Sequence, residues 1–381
     1  MTIELEKKQV PVLLLTGYLG SGKTTLLNRI LANRKGIRFA VIVNDIGEVN
    51  IDADLIEKGG VVGQKDENLV ALQNGCICCT LKMDLVAQIS ELTASSRFDY
   101  IVIEASGICE PAPIAQTIST IPSLGPQYVR GAEPYVDCIV TVVDALRMRD
   151  EFAGGEALSR EDIGEDDLER LLIEQIEFCN IVLLNKASEV SEEELGRLKA
   201  IVKSINPGAK VLRCDFGDID LDEIIYTGMF DFERVATSAA WIAAIEGEDE
   251  EEEAEGEALE YGIDTFVYSS RKPMDINKFD WLVAKRWPAG VIRAKGICYF
   301  SDEPDKCWLF EQAGKQKDLR EAGLWYAAMP QERLEMMLER DAKLRRDWDP
   351  VYGDRMQKLV FIGQHLDKNA ICSALDACLA H

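Results

Sequence analysis

The hydrophobic positions in the first half of the chain fall into short, continuous runs rich in Val and Ile. Runs of this kind are typical of parallel strands that are buried on both faces. They predict strands at residues 10–16, 38–43, 100–104, 138–144, 181–185 and 210–214. The amphipathic stretches between them predict helices, among them 84–94, 167–179 and 192–205. This alternation predicts an α/β domain with a mainly parallel sheet that helices cover on both faces.

The pattern changes in the last third of the chain. The strands predicted there lie at residues 263–270, 291–300, 307–312 and 358–362. The helices predicted there lie at 277–286, 331–346 and 369–379. We therefore expect a smaller α+β domain with hairpin-like strand pairs. Large aromatic side chains are the default anchors of such a core, and the candidates are Trp281, Trp287, Trp308, Trp325 and Trp348.

An acidic run separates the two patterns. Ten of the fifteen residues at 246–260 are Asp or Glu, and none is Lys or Arg. Such a block repels itself and buries little apolar surface, so it predicts a disordered linker, with a cation-collecting tether as the alternative. The expected organisation is a first domain at residues 1–235, a linker at 236–262 and a C-terminal domain at 263–381.

Composition excludes several classes of partner. The chain has 381 residues and a formal net charge of −25, which argues against binding to nucleic acid or to anionic membrane surfaces. Its start has no apolar signal core, and no window approaches the ~20 apolar residues of a membrane span. We therefore expect a cytoplasmic protein with reduced cysteines. Four cysteines in apolar stretches are expected to be small core residues, namely Cys138, Cys179, Cys298 and Cys372.

The strongest candidate for chemistry is the loop at residues 17–24, which reads Gly-Tyr-Leu-Gly-Ser-Gly-Lys-Thr. An apolar strand precedes it and a predicted helix follows, which is the context of a phosphate-binding loop. The glycines let backbone N–H groups point at phosphate oxygens, and the helix N-terminus adds partial positive charge. Lys23 would lie near the β- and γ-phosphates, and the Thr24 hydroxyl would coordinate Mg²⁺. The predicted nucleotide-binding residues here are Gly17, Gly20, Ser21, Gly22, Lys23, Thr24 and Thr25.

Two further predicted strands end in polar segments. Glu104 ends one of them, and in a phosphate-loop protein an acidic residue there helps to hold the Mg²⁺ shell. Gly107 follows three residues later, where a backbone N–H can sense the γ-phosphate. Asn185 ends another predicted strand and is followed by Lys186 and Ser188, where a guanine-reading loop would lie. The predicted catalytic residues are Lys23, Thr24, Glu104 and Gly107.

A cluster of thiols is the second candidate site. Cys76, Cys78 and Cys79 fall within four residues, and thiolate is the preferred ligand of Zn²⁺, Cu(I) and Fe–S clusters. Two or three of these thiols are expected to bind an ion directly, with an oxygen or a water completing a tetrahedron. A buried, inert cysteine cluster is the alternative.

Residues 44–48 follow the second strand, which is a natural place for a switch segment that carries carboxylates.

Together these motifs resemble the CobW-type family of metal-chaperone GTPases, which includes the nitrile hydratase activators. The similarity covers nearly the whole chain and runs through residues 16–25, 44–48, 74–79, 103–111, 293–296 and 359–363. It implies a GTP-hydrolysing domain joined to a smaller C-terminal domain, with a metal site at the cysteine loop. By this resemblance, Glu48 joins Cys76 and Cys78 around the metal.

The chain departs from the family pattern at three places. Ser188 stands where the family commonly has Asp, whose carboxylate accepts hydrogen bonds from guanine, so discrimination between GTP and ATP is expected to be weaker. Glu189 is a candidate substitute. Val43 stands where some members have a metal-binding carboxylate. The linker is acidic where many members are rich in His, which favours harder ions or simply solubility.

The expected function is a Mg²⁺-dependent GTP hydrolase that delivers or allocates a metal ion, with Zn²⁺ the expected metal, to a client metalloprotein. GTP, GDP and the client are its expected partners. Two alternatives from other classes stay open. One is a phosphate-loop ATPase or small-molecule kinase with structural cysteines. The other is a non-catalytic metal buffer or sensor in which the nucleotide is only structural.

Overall fold

The computed structural model describes residues 8–32, 35–43, 69–71, 82–129, 131–152, 166–231, 263–313, 316–340, 342–346 and 348–380. The chain divides into two compact units, each built on its own sheet. The predicted limits of the domains and of the linker stay predictions, because residues 232–262 lie outside the described ranges. Within those ranges, no helix combines the length and the apolar composition that a membrane crossing requires.

The first unit is built on a seven-stranded sheet, which confirms the predicted α/β fold. Its strands are β1 (Gln9–Thr16), β2 (Phe39–Val43), β3 (Leu69–Ala71), β4 (Tyr100–Glu104), β5 (Glu133–Asp144), β6 (Ile181–Asn185) and β7 (Lys210–Arg213). Their order is β3-β2-β4-β1-β5-β6-β7, and every neighbouring pair is parallel. The pattern did not predict β3, because three residues are too short a run to show a period.

Helices connect these strands. They are α1 (Lys23–Leu31), α2 (Lys82–Ser95), α3 (Pro111–Thr120), α4 (Ala145–Phe152), α5 (Asp166–Glu177) and α6 (Glu192–Ile205). The limits of α6 match the prediction because Ser191 and Glu194 form a capping box at its start. α3 was not predicted, although Pro111 stands at its first position, where proline is favoured.

The inner strands of the first unit's sheet are buried on both faces. Every residue of β2, β4 and β6 is buried, so the apolar runs of the sequence correspond to strands with no solvent face. β1 lies between β4 and β5, and the chain crosses from one side of β1 to the other between those two strands. In open parallel sheets, ligands bind beyond the carboxyl ends of the strands at such a crossing point.

The second unit is built on a five-stranded antiparallel sheet in the order β11-β10-β9-β12-β8. Its strands are β8 (Ile263–Ser270), β9 (Val291–Cys298), β10 (Lys306–Ala313), β11 (Gln316–Leu324) and β12 (Gln357–Gln364). Its helices are α7 (Ile276–Lys285), α8 (Gln331–Arg340), α9 (Ala342–Arg346) and α10 (Lys368–Asp376). The predicted α+β fold is confirmed, and the helix predicted at 331–346 corresponds to the described helical ranges Gln331–Arg340 and Ala342–Arg346, with residue 341 outside the description. β11 was not predicted because it is a polar strand at the edge of the sheet.

Aromatic side chains fill the core of the second unit, mostly phenylalanines. Phe266 stacks on Phe361 with ring centroids 5.2 Å apart. Trp325 is buried, whereas Trp281 is 55% exposed, so the prediction that the tryptophans anchor this core is wrong for Trp281. β9 and β12 approach so closely that a Cβ on Gly296 would lie 1.9 Å from a backbone oxygen of β12, which explains the glycine in this strand.

Three of the four predicted core cysteines are buried. Cys138, Cys179 and Cys298 are almost inaccessible to solvent, and Cys372 is half-buried. Burial raises the pKa of the Cys138 and Cys179 thiols to about 12, because a thiolate loses its hydration in the apolar interior. These thiols therefore stay protonated and serve as small apolar side chains.

Candidate nucleotide-binding site

The loop between β1 and α1 has the backbone that a phosphate cradle needs. Gly17, Gly20 and Gly22 have φ values of 132°, 83° and 108°, a region that strongly favours glycine. Two of these positions also lack room for a side chain. A Cβ on Gly17 would lie 2.2 Å from the carbonyl oxygen of Val142, and one on Gly22 would lie 2.3 Å from Nδ2 of Asn185.

The N-terminus of α1 opens onto this loop. Gly22 is the N-cap residue, no side chain caps the helix, and its first turn has no acidic residue. The first N–H groups of a helix have no partner within it and carry partial positive charge, which suits a phosphate. The buried Ser21 hydroxyl has no hydrogen-bond partner within the described ranges. Lys23 is 6% exposed, and its Nζ donates to the Tyr18 carbonyl at 3.2 Å, so its ammonium group lies over the loop.

Thr24 and Glu104 meet as the sequence predicts. The Thr24 hydroxyl donates to Oε1 of Glu104 at 3.2 Å. Glu104 ends β4, where it pairs in register with Leu15 of β1, and it is 1% exposed. Hydroxyl and carboxylate oxygens are the hard ligands that Mg²⁺ takes beside phosphates. The residues present at the end of β4 therefore fit this ion.

Gly107 lies against the phosphate loop. A Cβ on Gly107 would lie 2.6 Å from the backbone nitrogen of Leu19, and the Ala105 amide donates to the carbonyl of Leu15 at 2.9 Å. The segment after β4 and the phosphate loop are therefore in direct backbone contact. The contact shows that Gly107 lies beside the phosphate loop, and its role in sensing the γ-phosphate stays a prediction.

The side chain of Asn185 connects two loops by hydrogen bonds. Its Nδ2 donates to the carbonyl of Ser21 in the phosphate loop at 2.8 Å, and its Oδ1 accepts from the Gly217 amide at 3.2 Å. The side chain is 2% exposed, so the structure uses it to hold the phosphate loop against the loop after β7. A contact of Asn185 with guanine stays a prediction.

Lys186 joins the end of β5 to the site. Its backbone is left-handed, with φ 57°, and its ammonium group pairs with the carboxylate of Asp144, the last residue of β5. The Tyr18 hydroxyl lies 3.0 Å from both the amide nitrogen and the carbonyl oxygen of Asp144. Asp144 and Tyr18 were not predicted, and together they link the Lys186 loop to the phosphate loop.

Ser188 lies next to a carboxylate that the sequence analysis missed. Its amide and its hydroxyl both donate to Oδ1 of Asp215, at 3.0 and 2.9 Å. Asp215 comes two residues after β7, at the carboxyl edge of the same sheet. That position was the available signal, because it follows a predicted strand. Glu189, the predicted substitute for a carboxylate at position 188, is exposed.

The predicted metal ligands Cys76, Cys78, Cys79 and Glu48 lie outside the described residues, and so does the proposed switch segment at 44–48. Among the residues that are described, no group of three or more His, Cys, Asp or Glu side chains is arranged to hold a metal ion. The metal site stays a prediction from the sequence.

Comparison with known families assigns both units. Residues 11–213 match the model described as CobW/HypB/UreG, nucleotide-binding domain. The chain belongs to the CobW/HypB/UreG family. Residues 263–379 match the model of the cobalamin synthesis protein cobW C-terminal domain. The resemblance found in the sequence motifs is therefore confirmed, and it extends over both units of this family member.

Curated relatives include three with related names. A zinc-regulated GTPase metalloprotein activator 1 of Dictyostelium discoideum is 36% identical, over 98% of this chain and 80% of that protein. A zinc chaperone CobW of Pseudomonas aeruginosa is 33% identical over 57% of this chain and 60% of that protein. A zinc chaperone YjiA of Escherichia coli is 28% identical over 96% of this chain and 97% of that protein. Among solved structures, a Zn(II)-bound YjiA GTPase from E. coli covers 98% of this chain and is itself covered completely, with 22% identity and a TM-score of 0.43.

Proposed function

We propose that this chain is a Mg²⁺-dependent GTP hydrolase that acts as a metallochaperone and delivers or allocates Zn²⁺ to a client metalloprotein. One observation carries the enzymatic part: a glycine loop, a buried lysine and the Thr24–Glu104 pair lie together at the carboxyl edge of the sheet. The names of the relatives, which combine GTPase, zinc and chaperone or activator, support the rest.

The geometry suits phosphoryl transfer to water. Catalysis of this reaction depends mainly on positioning and on stabilising charge around the transferred phosphoryl group. The ammonium group of Lys23 and the first N–H groups of α1 would stabilise that charge. Thr24 and Glu104 would hold Mg²⁺. The bound ion would neutralise negative charge on the phosphates. Gly107 contacts the loop backbone and would report the presence of the γ-phosphate to the segment after β4.

The hydrolytic role is tested by Lys23→Ala. Losing one group that stabilises transition-state charge costs about 10²-fold or more in turnover. We expect phosphate release in the steady state to fall by at least that factor, with the thermal unfolding midpoint close to that of the wild type. Lys199→Ala, which removes an exposed lysine of α6, is the matched control and should keep full activity. A Lys23→Ala protein that keeps more than about half of the wild-type turnover would refute this role.

For the metal, we propose that Cys76, Cys78 and Cys79 bind Zn²⁺ as cargo together with the Glu48 carboxylate. Residues 44–48 directly follow β2, whose carboxyl end lies at the same edge of the sheet as the phosphate loop. Segments at this place move with the γ-phosphate in related nucleotide switches. Loss of the γ-phosphate would then displace one ligand and weaken the zinc site, and linkage requires that Zn²⁺ change GTP affinity by the same factor.

Coupling is measured by competitive Zn²⁺ titration with a chromogenic chelator, in GDP and in a non-hydrolysable GTP analogue. We expect the two affinities to differ by about 5- to 150-fold, the range of typical coupling. Cys78→Ser and Glu48→Ala should weaken binding and reduce the difference, whereas Cys372→Ser, a half-buried thiol of the second unit, should change neither. Equal zinc affinity in the two nucleotide states would exclude nucleotide-gated delivery.

A further inference from the structure

The loops after β6 and β7 form one surface beside the phosphate loop. The Ala187 amide donates to the carbonyl of Cys214 at 3.2 Å, and Asn185 Oδ1 accepts from the Gly217 amide at 3.2 Å. The same asparagine donates to the carbonyl of Ser21 at 2.8 Å. A nucleotide with its phosphates in the glycine loop would have its base beside this surface, where side chains of either loop could contact it.

The carboxylate of this surface is on the second loop. Both Ser188 donors, the amide and the hydroxyl, point at Oδ1 of Asp215. Within the described residues, these two hydrogen bonds are the only ones that the Asp215 carboxylate accepts. None of the described residues forms an ion pair with this carboxylate. Oδ1 is thus fixed in direction by two bonds, while Oδ2 keeps its capacity to accept. The hydroxyl and the carboxylate form a preorganised pair, with the carboxylate on the loop after β7.

We propose that Asp215, oriented by Ser188, reads the guanine base in this chain. The inference rests on the proposed GTP hydrolase function and assigns its base-specificity residue. Guanine presents two adjacent donors, N1–H and the C2 amino group, and a carboxylate accepts from both. Adenine presents an acceptor at N1 and no amino group at C2, so the same carboxylate repels it. Ser188 is then a positioning residue, and discrimination against ATP does not need a carboxylate at position 188.

The next residue supports a base-binding role for this loop. Phe216 has a left-handed backbone, with φ 52°, and the residue is 73% exposed. This conformation is uncommon for an aromatic residue, and it persists where surrounding contacts hold it. One such contact is the bond from Nε of Arg29 to the Phe216 carbonyl, at 2.7 Å. An exposed ring beside a carboxylate matches a ligand that has a flat face and donors along its edge.

The decisive experiment exchanges the acceptor for a donor. Asp215→Asn in the full-length chain replaces one carboxylate oxygen with an amide N–H. Xanthine carries a carbonyl at C2 where guanine carries an amino group, so the variant should prefer xanthine. By calorimetric titration with Mg²⁺ present, we expect GDP affinity to fall about 10- to 100-fold. Affinity for xanthosine diphosphate should rise, and affinity for ADP should not fall. A merely structural role would lower all three affinities together.

Two variants serve as matched controls. Asp218→Asn removes the same charge from the same loop, where Asp218 pairs with Arg29 at the surface, and it should change none of the three affinities by more than about twofold. Glu189→Gln tests the competing carboxylate and should also leave the base preference unchanged. A shift towards xanthosine diphosphate in Glu189→Gln but not in Asp215→Asn would overturn the proposal.

Exchanging the hydroxyl of position 188 with the carboxylate of position 215 gives an independent test. Ser188→Asp alone brings two carboxylates into contact, so we expect it to lower GDP affinity rather than to sharpen base choice. Ser188→Asp combined with Asp215→Ser restores one hydroxyl and one carboxylate, and should recover most of the preference for GDP over ADP. If the wild-type chain binds no guanine nucleotide, the proposed function itself fails. If it binds GDP normally and none of these variants alters base choice, only the assignment of Asp215 fails.

Discussion

Glu104 is the residue on which the magnesium part of the proposed function depends. Its side chain is 1% exposed and accepts a hydrogen bond from Thr24. Burying a carboxylate is costly unless charge or hydrogen bonds compensate, and a divalent cation beside it favours the ionised form. The proposed ion-binding role would thus account for a carboxylate at this buried position.

Glu104→Gln separates the charge of this residue from its shape. The amide keeps the size of the side chain and an acceptor oxygen for Thr24, but it removes the negative charge. We expect the Mg²⁺ concentration that supports half-maximal GTP hydrolysis to rise roughly 10- to 100-fold, as for other losses beside a metal. Hydrolysis measured over a Mg²⁺ series checks this, with Glu193→Gln, exposed on α6, as the control. An unchanged Mg²⁺ dependence would remove Glu104 from the ion site.

At the scale of elements, the junction of β1 and α1 depends on one close contact. Gly22 is the N-cap of α1, and a Cβ there would displace the Asn185 amide. The hydrogen bonds that connect the phosphate loop to the loop after β7 are made by that amide. The glycine thus serves two purposes, because it permits the left-handed turn and leaves room for the side chain that holds the loop.

Gly22→Ala should therefore lower the free energy of unfolding of the first unit by more than backbone strain alone would. A left-handed non-glycine residue costs about 1–3 kcal/mol, and leaving the buried partners of Asn185 unsatisfied adds about 1–3 kcal/mol. Gly36→Ala is the control, because Gly36 has φ 76° with open space around its Cβ position and carries the strain without the contact. Urea unfolding of both variants measures the difference. Equal destabilisation would mean that Asn185 adapts without loss.

At the scale of the molecule, one fifteen-residue segment holds ten acidic residues of a chain whose formal net charge is −25. The acidic run at 246–260 lies between the two family matches, at 11–213 and 263–379, and outside the described residues. The sequence predicts that it contributes nothing to folding or hydrolysis, because it has little apolar surface to offset its ordering entropy. The alternative that its composition leaves open is a tether that collects cations.

Replacing residues 246–260 with a neutral Gly/Ser segment of equal length tests the choice. We expect the thermal midpoint and the GTP turnover to stay close to those of the wild-type chain. A scrambled run of the same acidic composition is the control for charge. A large loss of stability or turnover in the neutral variant alone would show that charge in this segment acts on one of the units.

The limits of the buried strands could be predicted from the sequence. β4 and β6 begin and end where predicted, because continuous apolar runs bounded by polar residues leave one arrangement for a strand with both faces covered. The phosphate loop was equally clear, since three glycines and a lysine at that spacing need one backbone path. The strands that were missed, β3 and β11, are too short or too polar to carry such a pattern.

The sequence by itself determined most of the elements, the phosphate loop and the family resemblance, because these depend on local spacing and on residues close together in the chain. The tertiary structure decided which strand ends are neighbours. Only that arrangement brings Glu104 to Thr24 and Asp215 to Ser188. Hydrophobic periodicity shows where a strand lies but not which strand pairs with it, since a buried run suits any central position in the sheet. The sequence shows that Asp215 follows a predicted strand, but only the pairing of β6 with β7 shows that it lies beside Ser188.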